Sequence, residues 1–392
     1  MMKMDEKLIS ADCIGNWWMS IFHEKSGDAL SAAGMGRKNI SNEKRFDALS
    51  AAGIEALIKT GGVFCAEVRR KVTSTNTLLR EMAAAGAPEG YVLAAEEQTA
   101  GKGRQGRGFH SPAGHGLYFS LLLRPGLSAK ETALITPAAA VATALAIEEV
   151  YGVQAGIKWV NDLLVDVKKV CGILTETILD AESGLIESAV LGIGINITQP
   201  EAGYPGDIRA IAGALTDYTR GETRGETRGE IRGETRRETR GETRGETRGE
   251  TRGEKDRRCR LIAAILDNFW GYYKVGNGGT GDGSPGDTGS ETRRDTKRDT
   301  KRETGRETRT VPCLTLPRLV PRLTERAFLE EYRARSVVSG QYIYVITGDV
   351  RRAAKAIAID DDCGFVVQYD DGETATLNSG EVSIRAIGNN DL

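Results

Sequence analysis

The chain has 392 residues, room for two or three domains and an ample core. Its formal net charge of −2 gives no bulk attraction to nucleic acid or anionic membrane, and no apolar run approaches ~20 residues, so no membrane span is expected. The six cysteines (Cys13, Cys65, Cys171, Cys259, Cys313, Cys363) form no C-x-x-C pair, which argues against structural zinc and for a reducing, cytoplasmic compartment.

The N-terminus, MMKMDEKLISADCIGNWW, lacks a basic start followed by an apolar core and is a poor signal peptide. Residues 1–43 are glycine-dotted and weakly periodic, and are expected to be poorly structured. A globular domain is expected over 44–274, entered through FDALSAAGIEALIK, which has a helical pattern. GVFCAEVRRKV (62–72) reads as a strand, and STNTLLREMAAAG (74–86) as a helix opened by Ser74 or Thr75. YVLAAEEQ (91–98) and GLYFSLLLRP (116–125) are strands, the second stopped by Pro125. Lys130 to Val150 is an alanine-rich helix. GIKWVNDLLV (156–165), VCGILTETIL (170–179) and LIESAVLGIGINI (185–197) read as three more strands, the last two a hairpin around AESG. Consecutive late strands do not suit a doubly wound nucleotide fold, which needs a helix after each parallel strand. The expected class is α+β, with a mixed, largely antiparallel sheet.

From Thr219 to Glu254 the chain is nine tetrapeptides, mostly TRGE. A second biased stretch, 275–310, starts glycine-rich and ends ETRRDTKRDTKRETGRET. Neither tract carries apolar residues at a useful period, so both are expected to be disordered insertions. Between them, Leu261, Ile262, Ile265, Leu266 and Phe269 follow helical spacing within 255–274. A helical connection is expected over 311–339. From 340 to 392, QYIYVIT, AKAIAID, GFVVQYD, ETATLNS and EVSIRAI are short strands split by Gly and Asp turns, which reads as a small barrel.

The chemistry centres on GKGRQGRG, Gly101 to Gly108. Gly101, Gly103 and Gly106 spell G-x-G-x-x-G, the dinucleotide fingerprint. That motif needs a helix opening at its third glycine. Here RGFHSPAGHG follows, then a strand, so the mechanism is missing. The Walker pattern fails as well, because no G-K-[ST] closes the loop. What remains is an ordinary surface loop or a mobile loop of three cations, Lys102, Arg104 and Arg107, that wraps an anionic ligand and orders around it. Other features accompany it. TSTN (73–76) sits at a strand-to-helix junction, where it is either a plain cap or a polar ligand contact. Gln98 stands at the strand end leading into the loop. KWVNDLLV groups Lys158, Asn161 and Asp162, with a lysine in an apolar strand, where lysine seldom lies without an anionic partner. GIGIN puts two glycines in a strand interior, where a ligand often approaches the backbone.

Together, TSTN, EEQTAGKGRQGRG, GLYFSLLLRP, KWVNDL, KVCGILTE and GIGINI resemble the biotin protein ligases, in order and in spacing. The C-terminal DGETATLNSGEVSIRAI resembles the small barrel that ends those enzymes. The family usually reads K-W-P-N-D-L where this chain has Val160, and usually has Arg where it has Lys102. The resemblance implies a biotin–lipoate ligase-like, class II synthetase-like catalytic domain with an SH3-like C-terminal barrel. It implies ATP-dependent activation of biotin to biotinyl-5′-AMP, then transfer to a lysine of a biotin carboxyl carrier domain of acetyl-CoA carboxylase or a related enzyme. It implies that Ser74, Thr75, Asn76 and Gln98 hold biotin, that Lys102, Gly103 and Arg104 lie over carboxylate and phosphate, and that Lys158 bridges the two, with Lys158 and Arg104 catalytic. Arg107, Asn161, Asn196 and Arg385 join Lys102 and Arg104 on the ATP side. Magnesium would arrive with ATP, as no dedicated metal site is visible. The short N-terminal segment implies a monofunctional ligase with no DNA-binding head, a monomer or homodimer. A lipoate or octanoyl ligase is the nearest alternative. An RNA-binding or scaffolding protein acting through its Arg-rich tracts and a nicotinamide oxidoreductase are the others.

Overall fold

A computed structural model of the chain describes residues 49–219, 256–274, 322–347, 349–378 and 382–386. The N-terminal segment, the TRGE tract beyond Thr219, the 275–310 insertion and the first part of the expected connection lie outside these residues. The described residues belong to one compact unit.

Helix α1 (Ala51–Glu55) starts at Ser50, whose Oγ accepts from the Gly53 amide. Strand β1 (Cys65–Arg69), helix α2 (Thr75–Ala84) and strand β2 (Tyr91–Ala95) make one crossover unit, with β1 and β2 parallel. Every later pairing in the sheet is antiparallel. The remaining members are β3 (Gly116–Leu123), β4 (Gly156–Lys158), β5 (Asp162–Val165), β6 (Lys168–Leu179) and β7 (Ile186–Asn196). The order is β1-β2-β3-β7-β6-β5-β4, and β6 and β7 form the expected hairpin. The sheet is thus mixed and largely antiparallel.

Two expectations are corrected. Residues 156–165 are not one strand. Trp159 and Val160 are both buried, which breaks the period of two, and the chain folds back there so that Lys158 lies opposite Asp162. The alanine-rich helix is also split. A short turn, α3 (Ala129–Thr132), carries a Ser128–Glu131 capping box, and α4 (Ile135–Tyr151) follows, ending at Gly152 in the left-handed conformation (φ 66°). Contrary to the first reading of the sequence, Ala129–Tyr151 is long and apolar enough to cross a membrane by length and composition. Its apolarity has another cause: α4 is a core helix, with Ala138 to Ala142 fully buried.

Helix α5 (Arg257–Tyr273) packs along α4. Leu261, Ile265 and Phe269 are buried on one face, as their spacing predicts, and Trp270 meets Phe64 edge-on at 5.1 Å. At its first turn Arg258 is buried and pairs bidentately with Glu96, just past β2 (2.6 and 3.2 Å). Phe269 is 1 % exposed, so Phe269→Ala will leave a cavity. A stability loss of ~3–5 kcal/mol is expected by denaturant unfolding; a loss under ~1 kcal/mol would mean that α5 is peripheral.

Beyond a 3₁₀ turn (Arg322–Glu325) and helix α6 (Leu329–Ala334), five strands form a second sheet. They are β8 (Tyr342–Thr347), β9 (Val350–Ile359), β10 (Phe365–Tyr369), β11 (Thr374–Leu377) and β12 (Val382–Ala386), all antiparallel, in the order β11-β10-β9-β8-β12. This is the small C-terminal sheet domain expected from the turn spacing.

Candidate functional site

One face of the large sheet is stripped of side chains at adjacent register positions. Gly192 lies opposite Ser120, and Gly194 lies opposite both Tyr118 and Gly172. The hollow receives the start of α2. A Cβ on Gly192 would stand 2.0 Å from Asn76 Oδ1, and one on Gly194 would meet the Phe109 ring at 2.6 Å. These glycines therefore mark a close approach by the protein's own side chains, on the floor of a pocket.

The pocket is open to solvent. Its polar end is built by α2. Ser74, Thr75 and Asn76 are all buried. Ser74 is the N-cap residue, but its hydroxyl makes no capping bond. Gln98 does that work instead: its Oε1 accepts from the Thr75 amide at 2.9 Å and from Thr75 Oγ1 at 3.1 Å. Asn76 is held in one orientation. Its Nδ2 donates to Glu176 (3.0 Å) and to the Leu174 carbonyl (3.3 Å), and its Oδ1 accepts from Ser120 Oγ (2.6 Å). Gln98 Nε2 donates to Ser111 Oγ, which donates to the Phe109 carbonyl. Helix start, β2 end and glycine loop are thus joined by one chain of hydrogen bonds.

The glycine loop is a tight hairpin. Lys102 bridges Gly108, the Gly103 amide donates to the Arg107 carbonyl at 2.7 Å, and Gln105 and Gly106 turn through positive φ (55° and 71°). It enters no helix, as its sequence indicates. Lys102 reaches Glu176 at 3.4 Å, and Arg104 donates to Asn161 Oδ1 at 3.2 Å. Burial lowers the Arg104 pKa, and the nearby Asp162 carboxylate acts against that fall. The guanidinium remains a cation at any working pH.

A third cation was missed in the sequence. Lys169 of β6 lines the pocket, with Nζ 2.6 Å from Asp162 Oδ1. Its side chain runs over Gly172, where a Cβ would stand 3.1 Å from Nζ. The signal available was KVCGILTE, read for its resemblance and, from Val170, as a strand.

The structure brings together Ser74, Thr75, Asn76, Gln98, Lys102, Gly103, Arg104 and Asn161 as pocket-lining residues. It does not bring four others there. Lys158 lies on the edge strand β4 opposite Asp162, which lies opposite Gly172, so it shares their face of the sheet but is not among the pocket-lining residues. Arg107 is exposed on the outer limb of the hairpin. Asn196 is buried, but its Nδ2 serves the backbone, donating to the Gly213 carbonyl (3.1 Å) and the Lys169 carbonyl (3.5 Å). It positions Lys169 rather than facing the pocket. Arg385 lies on β12 opposite Tyr344, and its side chain is outside the described residues. Among the described residues no three His, Cys, Asp or Glu side chains converge as metal ligands.

Such a site pairs a neutral polar pocket with cations whose charges are matched to carboxylates inside the protein. Comparison with known proteins shows what parts of the chain resemble. Residues 68–196 match the biotin/lipoate A/B protein ligase family, and residues 338–385 match the biotin protein ligase C-terminal domain. Over these two stretches the chain is similar to the biotin protein ligases. It is 43 % identical over 145 residues to the bifunctional ligase/repressor BirA of Bacillus subtilis, covering 37 % of this chain and 44 % of that protein. It is 35 % identical over 138 residues to the biotin–[acetyl-CoA-carboxylase] ligase of Mycobacterium tuberculosis, covering 34 % and 49 %. The chain thus matches about half the length of these curated relatives. The fold is similar to that of the biotin protein ligase from Aquifex aeolicus in complex with biotin and ATP (TM-score 0.51, 21 % identity, 82 % of this chain and 99 % of that one).

Proposed function

We propose that the chain is an ATP-dependent ligase that joins biotin to a carrier-domain lysine. The observation that carries this reading is the convergence of Lys102, Arg104 and Lys169 beside the buried polar cluster of Ser74, Thr75, Asn76 and Gln98. In the first step a biotin carboxylate oxygen forms a bond to the α-phosphorus of ATP, and the bond to pyrophosphate breaks. The reactants are both anions, so the barrier falls where fixed cations meet the developing charge. Lys102, Arg104 and Lys169 fill that role, taking Glu176, Asn161 and Asp162 as partners when no ligand is bound. In the second step the lysine amine of the carrier attacks the acyl carbon of biotinyl-5′-AMP, and AMP leaves. The oriented amide and hydroxyl groups of Asn76, Thr75 and Ser74 suit the polar ring of biotin, and the aromatic Phe109 and Phe119 and the aliphatic Ile173 and Leu174 supply apolar wall. Magnesium enters as the counter-ion of the ATP phosphates rather than on a carboxylate site of the protein. The partner is the carrier domain of acetyl-CoA carboxylase or a related carboxylase, and the compartment is the cytoplasm.

The test is biotin-dependent exchange of pyrophosphate into ATP, followed by label transfer to a carrier domain. Exchange with lipoate or octanoate but not biotin would overturn the reading. The loop supplies a second test. An adenylate is destroyed by water, so the loop should close over it. Tryptic cleavage after Arg104 is expected to slow when biotin and ATP are added. Equal cleavage with and without them would exclude a closing loop.

A further inference from the structure

We infer that the C-terminal part of the chain sets the adenylating geometry through two positioning residues, Trp159 and Tyr332, which hold the turn that carries Asn161 and Asp162. The inference rests on the proposed ligase activity and adds residues that touch no part of the pocket.

The turn between β4 and β5 and the first residue of β5 carry two of the pocket cations' three internal partners. Asn161 Oδ1 accepts from Arg104, and Asp162 pairs with Lys169. A shift of this turn would therefore move two of the three cations at once. Inside the catalytic sheet it is tied to β6, where Asn161 Nδ2 donates to the Ile173 carbonyl and the Ile173 amide donates to the Asn161 carbonyl. Its other side is gripped by residues far along the chain. The Trp159 indole Nε1 donates to the Cys363 carbonyl at 2.9 Å, and its ring stacks on Phe365 at 5.4 Å and 18°. The Tyr332 hydroxyl on α6 donates to the Val160 carbonyl at 3.1 Å. Both aromatic side chains are buried.

The grip is itself braced. Asp360 Oδ1 accepts from the amides of Asp362 and Gly364, closing the turn that presents the Cys363 carbonyl, with Cys363 at φ 62°. A non-glycine residue at positive φ is held there by its surroundings. Burial pushes the Tyr332 phenol well above its ordinary pKa, so its O–H stays a donor throughout the working range. Trp159 and Tyr332 do not line the pocket and are tied to it by these hydrogen bonds at the turn before Asn161 and Asp162.

The test uses the full chain with Tyr332→Phe and, separately, Trp159→Phe. Each removes one buried donor; Tyr332→Phe keeps the ring, and Trp159→Phe keeps an aromatic ring in place of the indole. Biotin-dependent pyrophosphate exchange is expected to fall about tenfold, while biotin affinity by calorimetry stays within about threefold, because the turn orients the phosphate-side cations and not the biotin cluster. Tryptic cleavage after Arg104 in the ligand-free chain should speed up, since Asn161 no longer anchors that side chain. Wild-type exchange together with wild-type cleavage would overturn the inference. So would a fall in biotin affinity as large as the fall in exchange, which marks general disruption. If Trp159→Phe does not fold, Tyr332→Phe decides. If the wild-type chain shows no biotin-dependent exchange, the ligase reading fails by itself, and the cleavage rate alone decides whether the turn is held from the C-terminal side.

Discussion

Replacing Lys169 with alanine will reduce biotin-dependent pyrophosphate exchange by roughly a hundred- to a thousandfold, the loss that follows when one preorganised charge is taken from a reacting anion. Two effects act in the same direction. The first is the missing ammonium beside Gly172. The second is Asp162, which loses the partner at 2.6 Å that neutralises it and then repels the incoming carboxylate and phosphate. The double variant Lys169→Ala, Asp162→Asn should therefore recover part of the loss. Lys158→Ala, in contrast, should cost less than about tenfold, because Lys158 is not among the pocket-lining residues. Exchange rates for the two single variants, measured side by side with circular dichroism to check folding, settle the assignment. An equal loss in both would return Lys158 to the site.

Gly192→Ala will abolish measurable biotin binding while the sheet still forms. The new Cβ would stand 2.0 Å from Asn76 Oδ1 and 2.8 Å from its Cγ, well inside contact distance. Asn76 has little freedom to retreat, since Glu176, Leu174 and Ser120 hold its three polar directions. Either α2 is pushed off the sheet or Asn76 leaves its rotamer. Both destroy the polar end of the pocket, and overpacking of this kind costs ~1–3 kcal/mol of stability. Calorimetric titration with biotin and a thermal melt separate the two effects. Wild-type affinity in this variant would show that Asn76 is not part of the biotin pocket.

Much of this architecture is local and so was readable in the sequence. Apolar residues at helical spacing placed α5, and alternation with turn signals placed the β6–β7 hairpin and the five C-terminal strands. The polar pocket residues Ser74, Thr75, Asn76, Gln98, Lys102, Gly103, Arg104 and Asn161 stood out for a related reason. Each belongs to a short stretch that carries the resemblance to the biotin protein ligases, and their roles were implied by that resemblance. The choice between Lys158 and Lys169 was of another kind. Counting by twos back from Leu174 and Gly172, which line the pocket, gives Val170 and puts Lys169 on the far face of the sheet. A bulge overturns that count: Leu163 lies opposite Cys171 but Leu164 lies opposite Lys169, so Val170 is the extra residue and Lys169 turns to the pocket side. Pairing with a second strand creates a bulge, so periodicity within one strand does not reveal it. The same holds for the fold-back at Trp159 and its contact with Cys363 and Phe365, residues brought together only when the two sheets pack. Residue pattern alone set the element types and the side chains available to them; that Lys169 lines the pocket, and what holds its carboxylate partner, depended on tertiary packing, because both follow from register and contact between segments distant along the chain.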